Sequence, residues 1–179
     1  MIQKESLEES LELYAHTYQE AMAKALAEKL GLASLDEDLT KSLFSLLGRT
    51  ETDFTLFFRG LANVSEDEPV EPLRRAFYAE PDVEAVKAWV RLYLSRVRSE
   101  GLEARVQRMN AVNPKYVFRN YLAQLAIDAL EKGDASVLER LMQALSRPYD
   151  EQPQFDDLAE RRPEWARHRA GCSALSCSS

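Results

Sequence analysis

The chain has 179 residues, a length that suits one domain with a substantial core. It carries 23 Lys plus Arg against 30 Asp plus Glu, a formal charge of -7. Nucleic-acid binding needs clustered cations on the phosphates, so this balance argues against it. A membrane span needs ~20 consecutive apolar residues, and no run approaches that length.

The first predicted element is a helix with Leu7, Leu11, Tyr14, Tyr18, Met22, Leu26 and Leu30 on one face. Every step is three or four, and Gly31 ends it. Asp36 or Asp38 caps a second helix with Leu39, Leu43, Leu46 and Leu47 inward. Thr52 or Asp53 caps a short third one bearing Phe54, Phe57, Phe58 and Leu61. The stretch NVSEDEPVEP, 63–72, reads as a surface loop, with one or two helical turns after it around Leu73, Ala76 and Phe77. Pro81 and Asp82 open a strong helix with Val83, Val86, Trp89, Val90, Tyr93, Leu94 and Val97 inward. LEARVQRM, 102–109, is helical as well. Asn113 as N-cap and Pro114 at the first helical position then predict a helix running through Tyr121, Leu122, Leu125 and Ala129 to Gly133. Asp134 caps a last helix with Val137, Leu138, Leu141 and Leu145 inward. Beyond it periodicity is lost, and Pro148, Pro153 and Pro163 punctuate an irregular tail. No period-2 run of useful length occurs. The fold class is all-α, with a helical region over 1–146 and a tail over 147–179.

The chemistry that can be excluded is broad. The six glycines are never closer than 12 positions, so neither a P-loop nor a kinase-type glycine loop can be written. His16 and His168 have no His or Cys partner at metal spacing, and His16 reads as an ordinary helix residue. The carboxylates are scattered over helix faces and no pair is marked for acid–base work. Arg105, Arg108, Lys115 and Arg119 surround Asn113-Pro114 and would suit an anion at a helix start. The competing reading, which is favoured, has them serving helix carbonyls and distant Asp or Glu. Phe54, Phe57 and Phe58 at helical spacing read as core, or as a docking face if exposed. Both cysteines, Cys172 and Cys177, lie in the last eight residues, so no disulfide framework holds the core. A thiol on a flexible end is open to oxidation or disulfide formation, and two tail cysteines with no role are the alternative. The opening MIQKESLEES is neither a secretory signal nor a transit peptide, which sets a bacterial cytoplasmic location as the expectation.

Four stretches carry a resemblance: DFTLFFRGL at 53–61, RMNAVNPKYVFRNYLAQLAI at 108–127, RPYDEQP at 147–153 and the terminal SCSS at 176–179. With LELYAHTYQEAMAKALAEKLGL at the start, they resemble the C-terminal part of the selenoprotein O family. The resemblance implies a protein-kinase-like fold in which this chain continues the C-lobe. It implies transfer of AMP from ATP, with Mg2+, to hydroxyl side chains of proteins. The family's nucleotide-, phosphate- and metal-binding motifs do not occur here, so no catalytic, nucleotide-binding or metal residue carries over. The implied partners are the N-terminal kinase-like catalytic domain and, for the longer enzyme, protein substrates. The implied cofactors, ATP and Mg2+, belong to that longer enzyme. Cys177 stands third from the end, where some family members place selenocysteine, which implies a redox-active tail. The preceding HRAGCSAL departs from the family pattern and adds Cys172, so the partner of Cys177 stays open. A free-standing helical interaction module without enzymatic activity is the alternative function.

Overall fold

The computed structural model describes residues 4–97, 101–169 and 171–172, with residues 4–8 described by backbone alone. Among them are seven α-helices and no β-strand. The helices are α1 (Lys4–Lys29), α2 (Glu37–Leu47), α3 (Phe54–Leu61), α4 (Val83–Leu94), α5 (Leu102–Asn110), α6 (Asn120–Leu130) and α7 (Ser136–Ser146). Three short 3-10 segments, Glu71–Ala76, Pro153–Ala159 and Glu164–Arg167, complete the regular structure.

Local chemistry sets most boundaries. Helix N-termini leave backbone N–H groups without partners, and a short side-chain acceptor satisfies one of them. Asp36, Asp53 and Asp82 each do this, accepting from the backbone N–H of Leu39, Leu56 and Ala85 at 2.9–3.0 Å. α1 closes on Gly31, whose φ of 71° lies in the left-handed region. The N–H of Leu32 donates to the carbonyl of Ala27 and that of Gly31 to Glu28, the paired bonds of a glycine C-terminal motif. A side chain at Gly31 would also meet Met109 Sδ at 2.9 Å.

The buried residues form two clusters. The first draws on α1 through α5 and centres on Leu30, Leu43, Phe57, Leu61, Leu73, Val86, Val90, Tyr93 and Met109. Within it Trp89 stacks on Tyr93 at 5.4 Å between centroids, and Phe57 meets Phe58 and Phe77 edge-on. The polar ends of these rings are satisfied: Trp89 Nε1 donates to Ser42 Oγ at 3.1 Å and Tyr93 OH to the carbonyl of Leu30 at 3.0 Å. The second cluster joins Tyr116, Tyr121, Leu122, Leu141 and Ala144 to Phe155, Leu158, Ala159, Ala166 and Cys172.

Three expectations need correcting. Asn113 does not cap a helix and Pro114 does not start one: residues 114–119 are not helical, and α6 begins at Asn120. The Asn113 side chain is needed elsewhere, as described below. The stretch after Ser146 is not simply irregular, because Phe155, Leu158 and Ala166 fold back into the second cluster. Its prolines stop α-helices but suit the first turn of a 3-10 segment, as Pro153 shows. Phe54 is half exposed on the surface, beside Phe44, while Phe57 and Phe58 are core.

Gly60 sits where α3 crosses the 3-10 segment Glu71–Ala76, and a Cβ there would lie 2.2 Å from the carbonyl oxygen of Pro72. Gly60→Ala is expected to cost about 1–3 kcal/mol in urea unfolding, the usual range for forced overpacking. Gly101→Ala, with nothing within 4 Å and a φ of -61°, is the control for overpacking and is expected to cost about 1 kcal/mol or less, the preference of a helix N-cap for Gly over Ala.

Candidate functional site

The three internal stretches that carry the resemblance come together in one place. Asp53 and Arg119, 66 positions apart, form a two-pronged ion pair between the start of α3 and the entry to α6. The side-chain exposures are 3% for Asp53 and 13% for Arg119, so the pair is largely dry. Arg59, near the end of α3, donates from Nη1 to the carbonyls of Asn113 at 3.0 Å, Asn110 at 3.3 Å and Tyr149 at 3.4 Å. Its Nη2 pairs with Glu151. Lys115 donates to Glu151 at 2.6 Å and Asp156 at 2.7 Å. The backbone N–H groups of Lys115 and Tyr116 both donate to the carbonyl of Pro148.

Asn113 is the polar pivot of this assembly. Its Nδ2 donates to the carbonyls of Lys29 at 2.9 Å and Met109 at 3.0 Å, and its Oδ1 accepts from Lys29 Nζ at 3.3 Å. One buried amide thus serves the C-termini of both α1 and α5. Arg105 and Arg108 act in the same way. Arg105 is buried and donates to the carbonyls of Ala62 and Val64, just past α3. Arg108 Nη2 donates to the carbonyl of Gly31 at 3.1 Å. Gln152, also buried, donates to the carbonyls of Ala144 and Arg147 at the end of α7. Each helix end would otherwise leave buried carbonyls unpaired, at a cost comparable to a lost hydrogen bond.

A cleft of about 300 Å³ opens beside this network, lined by Arg59, Arg75, Lys115, Glu151, Asp156 and Glu160 among others. Three cations face three carboxylates, and they pair: Arg59 with Glu151, Lys115 with Glu151 and Asp156, Arg75 with Glu160. An incoming anion would have to displace a carboxylate already in place. The four cations weighed as an anion site, Arg105, Arg108, Lys115 and Arg119, are therefore engaged as helix-end donors or ion-pair partners, the favoured reading of the sequence.

Among the described residues no group of three or more His, Cys, Asp or Glu side chains could hold a metal ion. His16 lies exposed on α1, 3.5 Å from Glu20. Cys172 is buried in the second cluster at 5% exposure, and its thiol forms no disulfide among the described residues. Cys177 falls outside the described residues. No helix among the described residues is long and apolar enough to cross a membrane.

Sequence reading missed the ion pair of Asp53 with Arg119 and the reach of Arg59 across the fold. Asp53 was visible as a cap, but nothing local signals its second partner. The fold and site thus define an all-helical protein whose polar interior is spent on holding its helix ends together.

Comparison with known proteins supplies the family. A family model described as protein adenylyltransferase SelO matches residues 1–146. The protein nucleotidyltransferase YdiU of Aromatoleum aromaticum is 48% identical, over 98% of this chain and 35% of its own length. The YdiU of Nitrosospira multiformis is 46% identical over 97% of this chain and 37% of its length, and that of Azoarcus sp. is 49% identical over 98% and 36%. The chain belongs to the SelO family. It spans a little over a third of the length of the curated relatives it matches.

The tail is tied down by carboxylates, which gives a pH signature. Glu51 pairs with Arg162 and Arg167, Asp156 with Lys115, Asp157 with Arg140, and Asp128 with Arg169. Hydrogen bonds from Arg167, Lys115 and Arg140 lower the pKa of Glu51, Asp156 and Asp157 respectively, and one from Gln124, helped by Arg169, lowers that of Asp128. A carboxyl whose folded value is depressed adds stability above its unfolded value, about 4, and loses it as pH falls through the folded value. In a Trp89→Phe variant, Trp165 reports on the packing of the tail against Tyr121 of α6. Its fluorescence melting midpoint is expected to hold level from pH 8 to 6 and to drop steadily below about pH 4. A midpoint as high at pH 3 as at pH 7 would contradict this.

Proposed function

We propose that this chain acts as the C-terminal helical portion of a SelO-type protein adenylyltransferase, and that it supplies scaffold and no reacting group. In that enzyme AMP passes from ATP, with Mg2+, to hydroxyl side chains of proteins. The observation that carries the reading is the 48% identity to a protein nucleotidyltransferase across 98% of this chain. Two features support the scaffold role. The cations lining the cleft beside Arg59 are already paired, and the polar groups at the helix ends serve backbone carbonyls. Cys177 gives the longer enzyme a redox-sensitive tail in this reading, with Cys172 held inside the second cluster.

The test follows AMP carrying a labelled α-phosphate. The purified 179-residue chain with ATP and Mg2+ is expected to label no protein. The same chain joined to the remaining part of a family enzyme is expected to label protein. In that joined enzyme, Cys177→Ser is expected to change how the rate responds to dithiothreitol. ATP consumption by the isolated chain that survives repeated purification would overturn the scaffold reading. An identical reductant response in Cys177→Ser would overturn the redox tail.

A further inference from the structure

α1 is anchored at one end only. Its side chains from residue 9 to residue 22 are all exposed, and burial begins with Ala27 in its last turn. Within the exposed part Leu11, Tyr14, Tyr18 and Met22 recur at steps of three or four and so share one face. They are 59%, 68%, 54% and 51% exposed, and the rings of Tyr14 and Tyr18 stack at 6.2 Å. Helices in proteins draw most of their stability from packing an apolar face, and this face packs on nothing in the described chain. A contiguous apolar stripe left in water marks an interaction surface.

Resting on the function proposed above, we propose that this stripe docks onto the polypeptide that makes up the other two thirds or so of the relatives' length. Charge selects this occupant over the others. From residue 4 to residue 24, α1 carries Glu5, Glu8, Glu9, Glu12 and Glu20 against Lys4 and Lys24. Two copies packed stripe to stripe would set acidic flanks against each other in either orientation, an arrangement that disfavours pairing. The net charge of -7 on each chain adds to that repulsion. An anionic lipid surface attracts basic helices and repels this one. The relatives, matched over 35–37% of their length, contain the polypeptide to supply a face. Its chemistry follows from the stripe: an apolar groove for two tyrosine rings, with a neutral or basic rim. Tyrosines at the centre of such a contact carry a large share of the affinity.

The test co-expresses the full 179-residue chain with a tagged polypeptide comprising the part of the Aromatoleum aromaticum relative outside the match, so that the two fold together. The wild-type chain is expected to co-purify with it. Tyr14→Glu/Tyr18→Glu and, as a second variant, Leu11→Ser/Met22→Ser are each expected to cut the recovered chain about ten-fold or more. Ile127→Glu, which alters an exposed apolar residue on α6, is expected to leave it unchanged. Failure of the wild-type chain to co-purify, or full retention by the stripe variants, would overturn the proposal. So would a wild-type chain that alone sediments as a dimer dispersed by the stripe variants, or that binds phosphatidylglycerol vesicles through the stripe. A complex that holds together and moves no AMP leaves the docking intact and overturns only the activity reading.

Discussion

The ion pair between Asp53 and Arg119 joins the two halves of the structure. Asp53 caps α3 in the first cluster, and Arg119 introduces α6 in the second. Both are largely removed from water, where a lone charge is costly and removal of one partner strongly destabilises the other. The pair therefore ties the position of α6 to that of α3. It also explains why α6 starts without a side-chain cap: the residue at that position, Arg119, points its charge at Asp53.

Around this pair the same logic repeats with carbonyls as acceptors. Arg59, Arg105, Arg108, Asn113 and Gln152 each reach the frayed C-terminal end of a helix or the turn beyond it. A helix end offers several unpaired carbonyls, and a fold with short helices has many such ends to bury. Cations and amides meet that need. The buried cations and amides named here are thereby committed to the protein's own backbone. The clustering of the three internal motifs has the same meaning, since the contacts between them are mutual: DFTLFFRGL grips NPKYVFRN through Asp53 and RPYDEQP through Arg59.

The sequence made the helices legible wherever a local rule applied. Leu39, Leu43, Leu46 and Leu47 are buried on α2 as their spacing predicts, and Val86, Trp89, Val90 and Tyr93 on α4. Gly31 ends α1, and Asp36, Asp53 and Asp82 start their helices. What stayed hidden depends on partners far along the chain. Asn113 looks like a cap beside Pro114, yet its amide is claimed by the carbonyl of Lys29, 84 positions away. The tail lacks periodicity because 3-10 turns and extended links bury isolated residues, such as Phe155 and Leu158, in place of a continuous face. On α1 the periodicity was real, but spacing reveals which face is apolar and not what covers it.

The central claim is that the cations between residues 105 and 119 hold this fold together and are not held in reserve for a ligand. A double-mutant cycle on Asp53→Ala and Arg119→Ala, read by urea unfolding of the full chain, tests it most directly. The loss of the α3 cap is common to both legs that contain Asp53→Ala and cancels. A coupling of about 1–3 kcal/mol is expected for two groups committed to each other. Additivity to within ~0.5 kcal/mol would mean that Arg119 is independent of Asp53, and would contradict the claim.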